Sequence, residues 1–329
     1  MPVFLSPRYL KRVLALCAFA LLATPFLAAC DPAPVETGGV GGAVSGVFAE
    51  MLVTPTAQEA TPSPTTPTQP TATPLPPTPV PTATPEPGKP LAGRRIGLDP
   101  GHGPRRDLGA VLVDPDTKKL ILAEDELNLD VAVRMRDILV ARGAEVVLTR
   151  ESRDEFSVPW PPDTNGDGVE EGQADDLQHR IDILNAANVE VFLSIHANSS
   201  SNPAKRKGAQ ALYCATDDCA FPAENKRLGK LTLDYLESRL AEAGYPLQHR
   251  ELRSDYWEDC PGCPKSHLFL LGPAQGPRHP RAMAMPGIII EAMYVTSPEE
   301  AAQLLQDRVR DVIALAYSDA LTEYLTTQP

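Results

Sequence analysis

Positive charge is scarce in this chain of 329 residues, in which 30 lysines and arginines stand against 43 aspartates and glutamates. The formal net charge of -13 argues against a nucleic-acid partner, because binding of that kind depends on basic surface that neutralises phosphates. Long apolar runs are also scarce near the N-terminus. The run from Val13 to Phe26 is too short for a comfortable membrane span, so it fits the core of a signal peptide better.

The first thirty residues are typical of a bacterial export signal. Basic residues precede the apolar run, and the run ends in Leu27-Ala28-Ala29-Cys30, which resembles the lipobox of bacterial lipoproteins. In that family of signals, cleavage leaves the cysteine as the lipidated first residue. We therefore predict a lipoprotein-type signal peptide over 1–30 and a lipid on Cys30 that holds the protein to the membrane in the cell-envelope space. An ordinary signal peptide with a chance cysteine and an uncleaved anchor are the alternatives.

Residues 31–90 predict a disordered stalk. Proline and threonine dominate between Pro55 and Pro90, and proline lacks the backbone donor that helices and sheets require. The expected conformation is extended polyproline II, which would separate an anchored N-terminus from a domain at 91–329. That domain is long enough to bury one large core.

Cysteine is rare, and four of its six occurrences lie in the predicted domain, at Cys214, Cys219, Cys260 and Cys263. An even number of cysteines in an exported domain favours two disulfides, with three pairings open. The C-x4-C and C-x2-C spacings are also compatible with a structural zinc site of four thiolates. The export signal favours the disulfides.

Short apolar runs alternate with amphipathic stretches throughout residues 91–329. This pattern predicts an α/β fold in a single domain, with a mostly parallel twisted sheet flanked by helices. The predicted strands are Arg95–Leu98, Glu145–Thr149, Val191–Ile195, Gln210–Tyr213, Leu268–Leu271 and Ile288–Ile290, and the predicted helices are Glu126–Arg142, Leu177–Asn188, Leu228–Ala243 and Pro298–Tyr324.

Four polar residues lie at the ends of these runs. His102, His196 and Glu291 each follow a predicted strand or its turn, and Glu124 opens a helical stretch. Ligands of α/β sheets bind outside the carboxyl ends of the strands, so these side chains are expected to converge. Two histidines and a carboxylate are suited to a zinc ion with one position left for water, and a further carboxylate can take a proton from that water.

The stretch from Arg94 to Leu325 resembles the zinc-dependent N-acetylmuramoyl-L-alanine amidases of the type 3 family, which are cell-wall hydrolases with a phosphorylase/hydrolase-like α/β fold. Four blocks in the expected order carry the resemblance, namely Ile96-Gly97-Leu98-Asp99-Pro100-Gly101-His102-Gly103, Glu124-Asp125-Glu126-Leu127-Asn128-Leu129, Leu193-Ser194-Ile195-His196-Ala197-Asn198 and Pro286-Gly287-Ile288-Ile289-Ile290-Glu291.

The resemblance implies a role for each of the four polar residues. His102, Glu124 and His196 would hold one Zn²⁺, and Glu291 would be the catalytic base. The substrate would be peptidoglycan, cut between N-acetylmuramic acid and L-alanine. Glu126 is a rival ligand, because the sequence around Glu124 departs from the family pattern. A non-catalytic peptidoglycan-binding lipoprotein and a zinc peptidase that cuts within the stem peptide remain alternatives.

One insertion relative to the family, Phe156 to Asp175, contains the run Asp163-Thr164-Asn165-Gly166-Asp167-Gly168. Asp163, Asn165 and Asp167 are spaced like the first ligands of a calcium loop. Ala174 occupies the twelfth position, where a bidentate glutamate would be expected, so a plain acidic turn is the simpler interpretation. Calcium in the loop 163–175 is the alternative.

Overall fold

A six-stranded sheet with helices on both faces forms the centre of the computed structural model. The structure describes residues 88–103, 107–152, 163–168, 173–201, 207–256 and 266–327. The predicted signal peptide, Cys30, and the predicted stalk up to residue 87 lie outside the described residues, as do Cys260 and Cys263.

The strands of the sheet lie in the order β4-β1-β5-β8-β6-β7. Each neighbouring pair is parallel except β8 and β6, which are antiparallel. The prediction of a mostly parallel sheet in one α/β domain is therefore confirmed. The strands are β1 (Arg95–Pro100), β4 (Glu145–Leu148), β5 (Val191–Asn198), β6 (Ala209–Tyr213), β7 (Arg250–Ser254) and β8 (Gly287–Tyr294), while β2 (Val111–Val113) and β3 (Leu120–Ala123) form a separate hairpin.

Five helices are present in the described part of the chain, namely α1 (Glu124–Ala141), α2 (Gln173–Ala186), α3 (Pro222–Glu242), α4 (Pro298–Leu304) and α5 (Asp307–Thr326). In α1, Leu127, Val131, Met135 and Leu139 recur every four residues and are all buried, which gives the helix one apolar face. None of the helices among these residues is long and apolar enough to cross a membrane.

The sheet separates two apolar clusters. Helices α1, α3 and α5 cover one face, where Leu193 and Ile195 of β5 join Ile288 and Ile290 of β8. Phe192 of β5 points to the opposite face and packs with α2. Because β5 and β8 are central and buried on both faces, their sequences read as nearly continuous apolar runs.

Several elements differ from the sequence prediction, and the hairpin of β2 and β3 is one that was not predicted. The run Leu268–Leu271 is a turn and not a strand, closed by the N–H groups of Leu271 and Gly272, which both donate to the Leu268 carbonyl. A short apolar run does not distinguish a strand from a packed turn by periodicity alone. Strand β7, with the sequence Arg-Glu-Leu-Arg-Ser, was not predicted; it lies at the edge of the sheet, where charged residues are common.

The predicted final helix, Pro298–Tyr324, is in fact two helices. Gln306 adopts an extended conformation between α4 and α5, with φ -89° and ψ 125°. The break allows α4 to pack on β8 while α5 runs across α1 and α3. Arg310 stabilises the junction, since its Nη1 donates to the carbonyl of Leu304 at 2.7 Å.

Candidate metal centre

The strand order brings the first and third sequence blocks together. Strands β1 and β5 are adjacent and parallel, with Pro100 in register with Ile195. The chain leaves β1 through Gly101 and His102, so His102 emerges beside His196 of β5. His102 has φ 61°, an unusual left-handed conformation for a residue with a side chain.

Two glycines make room for the polar side chains. A Cβ atom at Gly101 would lie 2.1 Å from Nε2 of His196, so either the imidazole ring or the turn would have to move. Gly109 has φ 64°, and a Cβ there would lie 2.5 Å from an oxygen of Glu124. The absence of side chains at these two positions lets the backbone pass directly against the candidate ligands.

His102, Glu124 and His196 form one cluster whose ligand atoms lie within 4.8 Å of one another. Oε1 of Glu124 lies 3.1 Å from Nε2 of His102 and 3.1 Å from Nδ1 of His196. A tetrahedral zinc site with bonds near 2.0–2.1 Å has ligand–ligand edges of about 3.3 Å. The donor types and their spacing therefore fit a single zinc ion.

Glu124, and not Glu126, is the carboxylate that joins the histidines. Glu124 is the first residue of α1 and is 4 % exposed, whereas Glu126 lies on the exposed side of the helix. Backbone N–H groups hold the Glu124 carboxylate in place: Ala110 donates to Oε2 at 2.7 Å, and Ala197 donates to Oε1 at 3.1 Å. The rival position considered from the sequence does not face the cluster.

Asp107 contacts the cluster, and the sequence analysis missed it. Its Oδ2 lies 2.6 Å from Nδ1 of His102, the ring nitrogen that points away from Glu124. A carboxylate in this place fixes the orientation of the imidazole and makes it a better metal ligand. The signal was present, because a histidine ligand commonly has such a partner and Asp107 is the first carboxylate after His102.

The charges in the cluster favour a cation. Burial by itself lowers the pKa of His102, but the hydrogen bonds with Asp107 and Glu124 outweigh it and raise the pKa to about 10. Burial also opposes ionisation of Glu124, yet the two histidines hold its pKa well below the usual range. Without a metal the carboxylates thus retain a proton on His102, and a metal ion would take the place of that positive charge.

Glu291 lies beside His196 on the next strand. The two residues are in register in the parallel pair β5–β8, so their side chains leave the same face of the sheet. Oε2 of Glu291 is shielded from solvent and has no hydrogen-bond partner among the described residues. Burial, followed by the negative charge of Glu124, raises the pKa of Glu291 to about 7 against the opposing effect of the histidines. Such a pKa suits a group that takes and returns a proton near neutral pH.

A cleft of about 120 Å³ opens beside the two histidines. Helix α2 forms one wall with Gln173, Asp176 and Leu177, and Leu270 contributes apolar surface. The turn that was predicted as a strand thus lines the cleft. The cleft gives a reacting group access to the two histidines.

Cys214 and Cys219 form a disulfide, which is one way of pairing part of the predicted cysteine set. The partners needed for a second disulfide or for a four-thiolate site, Cys260 and Cys263, lie outside the described residues. His267, which was not singled out from the sequence, lies beside this bond: its Nδ1 is 3.6 Å from Sγ of Cys214 and 3.0 Å from Oδ1 of Asp255.

In the predicted calcium loop the structure describes residues 163–168 and 173–175, and hydrogen bonds join these two parts. Oδ1 of Asp175 accepts from the N–H groups of Thr164 at 2.8 Å and Asn165 at 3.1 Å. Oδ1 of Asn165 accepts from the N–H of Asp167. These contacts are those of an acidic turn, and the calcium alternative stays a prediction.

Comparison with known proteins gives matches over the same part of the chain. A family model described as N-acetylmuramoyl-L-alanine amidase matches residues 96–323. A germination-specific N-acetylmuramoyl-L-alanine amidase of Bacillus subtilis (strain 168) is 30% identical over 238 residues, which are 72% of this chain and 82% of that protein. The N-acetylmuramoyl-L-alanine amidase LytC of the same organism is 27% identical over 237 residues, which are 71% of this chain but only 36% of LytC.

A solved structure supports the fold. The CwlD amidase of Clostridioides difficile, determined in complex with the GerS lipoprotein, superimposes with a TM-score of 0.52 at 22% identity. The match covers 72% of this chain and 100% of that chain. At this level of identity the likeness concerns the arrangement of strands and helices.

Proposed function

The chain belongs to the N-acetylmuramoyl-L-alanine amidase family, and we propose that it is a zinc-dependent enzyme that hydrolyses the amide bond between N-acetylmuramic acid and L-alanine in peptidoglycan. The family predicted from the four sequence blocks is thereby confirmed. The observation that carries the zinc-dependent reaction is the cluster of His102, Glu124 and His196 with Glu291 in register beside it.

The roles of these residues follow from their positions. His102 through Nε2, His196 through Nδ1 and Glu124 through Oε1 would hold the zinc ion. Bound zinc supplies the polarisation of the amide carbonyl and the acidity of the attacking water that an unreactive amide requires. Glu291 takes a proton from the water and hands it to the leaving nitrogen. The N–H groups of Ala110 and Ala197 and the carboxylate of Asp107 keep the ligands in position.

Incubation of the purified protein with peptidoglycan tests the reaction. We expect new amino termini that belong to L-alanine, and we expect Glu291→Gln to reduce their rate of appearance by about 10²-fold or more while zinc remains bound. An undiminished rate in the Glu291→Gln variant would show that the assignment of the base is wrong. New amino termini of another residue would indicate a stem peptidase, and zinc binding without product would indicate the non-catalytic lipoprotein.

Zinc content tests the ligands separately, and the chain offers a matched control. Glu124→Gln should lose zinc, whereas Glu126→Gln, two residues away on the exposed side of α1, should retain it. His102→Ala and His196→Ala should lose zinc as well. Zinc retained in all three ligand variants would refute the site.

We further propose that the enzyme works in the cell envelope, attached to the membrane by a lipid on Cys30 and carried on the stalk of residues 31–90. The support is the sequence alone, namely the lipobox-like Leu27-Ala28-Ala29-Cys30 and the proline-rich run that follows. Peptidoglycan lies within reach of a domain that is tethered in this way.

Calcium in the loop 163–175 is a separate proposal. The support is the spacing of Asp163, Asn165 and Asp167, together with Oδ1 of Asp163, which is buried without a partner among the described residues. Calorimetric titration of the purified protein with calcium, compared with an Asp163→Asn/Asp167→Asn variant, tests it. Equal heats in the two proteins would refute calcium binding by these side chains.

A further inference from the structure

Two buried arginines hold the turn that carries His102. Arg150 follows β4 and Arg180 lies on α2, and each is only 4 % exposed. Neither side chain belongs to the metal cluster, yet both point into the same short stretch of backbone, residues 100–102. Their function is not explained by packing, because a guanidinium is costly to bury unless its donors are used.

Arg180 donates hydrogen bonds to two carbonyl groups of this turn. Its Nη1 donates to the Pro100 carbonyl at 2.9 Å, and its Nη2 donates to the His102 carbonyl at 2.9 Å. The second contact fixes the peptide that follows His102, whose φ of 61° is unfavourable for a residue with a side chain. The guanidinium thus supports a backbone conformation that directs the imidazole towards Glu124.

Arg150 connects this turn to the start of α1. Its Nε donates to the Pro100 carbonyl at 3.0 Å, and its Nη2 donates to the Gly101 carbonyl at 3.1 Å. The same Nη2 donates to the carbonyl of Asp125 at 2.7 Å, one residue after the ligand Glu124. One guanidinium therefore links the backbone just before His102 to the backbone just after Glu124, two proposed ligands that are 22 positions apart in the sequence.

Burying two guanidinium groups next to each other is unfavourable. Burial, followed by the repulsion of Arg180, lowers the pKa of Arg150 to about 10, and its Nη1 is buried without a hydrogen-bond partner among the described residues. Asp99 compensates part of the charge: its Oδ1 accepts from Nη1 of Arg180 at 2.8 Å. Burial alone would raise the pKa of Asp99, but Arg180 and two hydroxyl groups lower it to about 2. The carboxylate is thus ionised and keeps Arg180 in place.

We propose that Arg150 and Arg180 are positioning residues that set the distance between His102 and Glu124, and thereby the affinity and geometry of the metal site, by holding the carbonyl groups of residues 100, 101, 102 and 125. The inference rests on the proposed zinc site. Arg180 also lines the cleft beside the two histidines, and neither arginine is a member of the metal cluster. Each guanidinium presents several N–H donors in fixed directions, and these donors bind the carbonyl groups of the turn. A lysine would keep the positive charge but would not offer donors in this arrangement.

The test compares three variants of the full protein, Arg150→Lys, Arg180→Lys and the control Arg134→Lys. Arg134 lies on the same helix as Glu124 and also makes several ion pairs, but with Asp130 of α1 and with Asp307 and Asp311 of α5. The zinc dissociation constant is measured by competition with a chelator. We expect it to rise by roughly 10- to 100-fold for Arg150→Lys and for Arg180→Lys and to stay unchanged for Arg134→Lys.

Cobalt substitution gives a readout that a merely structural role would not change. The visible absorption of Co²⁺ reports ligand geometry, and we expect altered bands in the two test variants at saturating metal, with wild-type bands in the control. Thermal unfolding is recorded in parallel. Lower thermal stability together with wild-type zinc affinity and wild-type cobalt bands would overturn the proposal.

Two other outcomes of this experiment can also be interpreted. If Arg180→Lys does not fold, Arg150→Lys decides, since Arg150 reaches both ligand-bearing segments. If the wild-type protein itself binds no zinc, the proposed metal site fails, and this result is distinguishable from a failure of the positioning role, in which wild type and variants bind zinc alike.

Discussion

Gly101 illustrates how tightly the site is packed at the level of single residues. A methyl group there would meet the ring of His196, with its Cβ 2.2 Å from Cε1. We expect Gly101→Ala to displace either the ring or the turn and to weaken zinc binding by at least about 10-fold, because ligand atoms must be placed to within a few tenths of an ångström. Zinc titration of the variant measures the effect.

Gly276→Ala serves as the comparison for Gly101→Ala. Gly276 also has a positive φ, of 66°, but a Cβ there would meet nothing within 4 Å. Gly276→Ala should be less stable than the wild type, because alanine is strained at a positive φ, but it should retain wild-type zinc affinity. Weakened zinc binding in both variants would mean that the contact with His196 is not the cause.

Glu291 predicts a pH dependence of the reaction. Only the ionised carboxylate can accept the proton of water, and burial raises the pKa of this group to about 7 in the metal-free protein. A bound dication would lower that pKa, so kcat/KM should fall as the pH is lowered through a value at or below 7. The pH profile of kcat/KM, with zinc content determined at each pH, measures this. A rate that falls only where zinc is lost would contradict the assignment to Glu291.

At the level of secondary-structure elements, α4 stabilises the sheet through one carboxylate. Glu300 is 5 % exposed; it accepts from the N–H of Gly208 at 2.7 Å and from the N–H of Tyr294 at 2.8 Å. Gly208 directly precedes β6, and Tyr294 is the last residue of β8. Glu300→Ala would leave both without this acceptor, and we expect a loss of about 2 kcal/mol in the free energy of unfolding, measured with urea. The exposed neighbour Glu299→Ala should cost less than about 0.5 kcal/mol.

Glu300 also predicts how the stability of the protein changes with pH. Burial raises the pKa of Glu300 to about 6, in spite of the hydrogen bonds from Tyr294 and Gly208. A raised pKa means that the stabilising contribution is complete below the unfolded-state pKa and declines as the pH rises through 6. The difference between wild type and Glu300→Ala should therefore be larger at pH 4.5 than at pH 8. An equal difference at both pH values would show that Glu300 titrates normally.

Most elements could be predicted because their patterns are local. The buried central strands β1, β5 and β8 are short apolar runs, and α1 repeats apolar residues every four positions. The errors occurred where the environment decides. The run Leu268–Leu271 is apolar because it lines the cleft and packs on α2, and β7 is polar because it lies at the sheet edge. A short run by itself reveals neither whether it packs as a turn beside a cleft nor whether it lies at the edge of a sheet.

For the whole molecule, the proposal of a lipid anchor leads to a test of localisation. Cys30→Ser should move the protein from the membrane fraction to the soluble envelope or culture fraction, because the residue that would carry the lipid is removed. The activity of the purified Cys30→Ser protein on isolated peptidoglycan should equal that of the wild type. Equal membrane retention of Cys30→Ser and wild type, measured by fractionation and immunoblotting, would argue for an uncleaved anchor instead.

The sequence alone determined the family, the fold class, and the four polar residues at the proposed site. Each of these depends on short blocks whose residue types and order are specific: strand-end histidines, a helix-opening glutamate and a glutamate after an isoleucine run. It also indicated the export signal and the stalk, which depend on composition.

Only the tertiary structure decided between Glu124 and Glu126, revealed Asp107 behind His102, and placed Arg150 and Arg180 around residues 100–102. The physical reason is the same in each case. These contacts join segments through hydrogen bonds and close approaches that depend on the register of β1, β5 and β8 and on the direction of each side chain. Two glutamates two positions apart are chemically equal in a sequence, and only the helix, which turns Glu124 inward and Glu126 outward, brings one of them to the histidines.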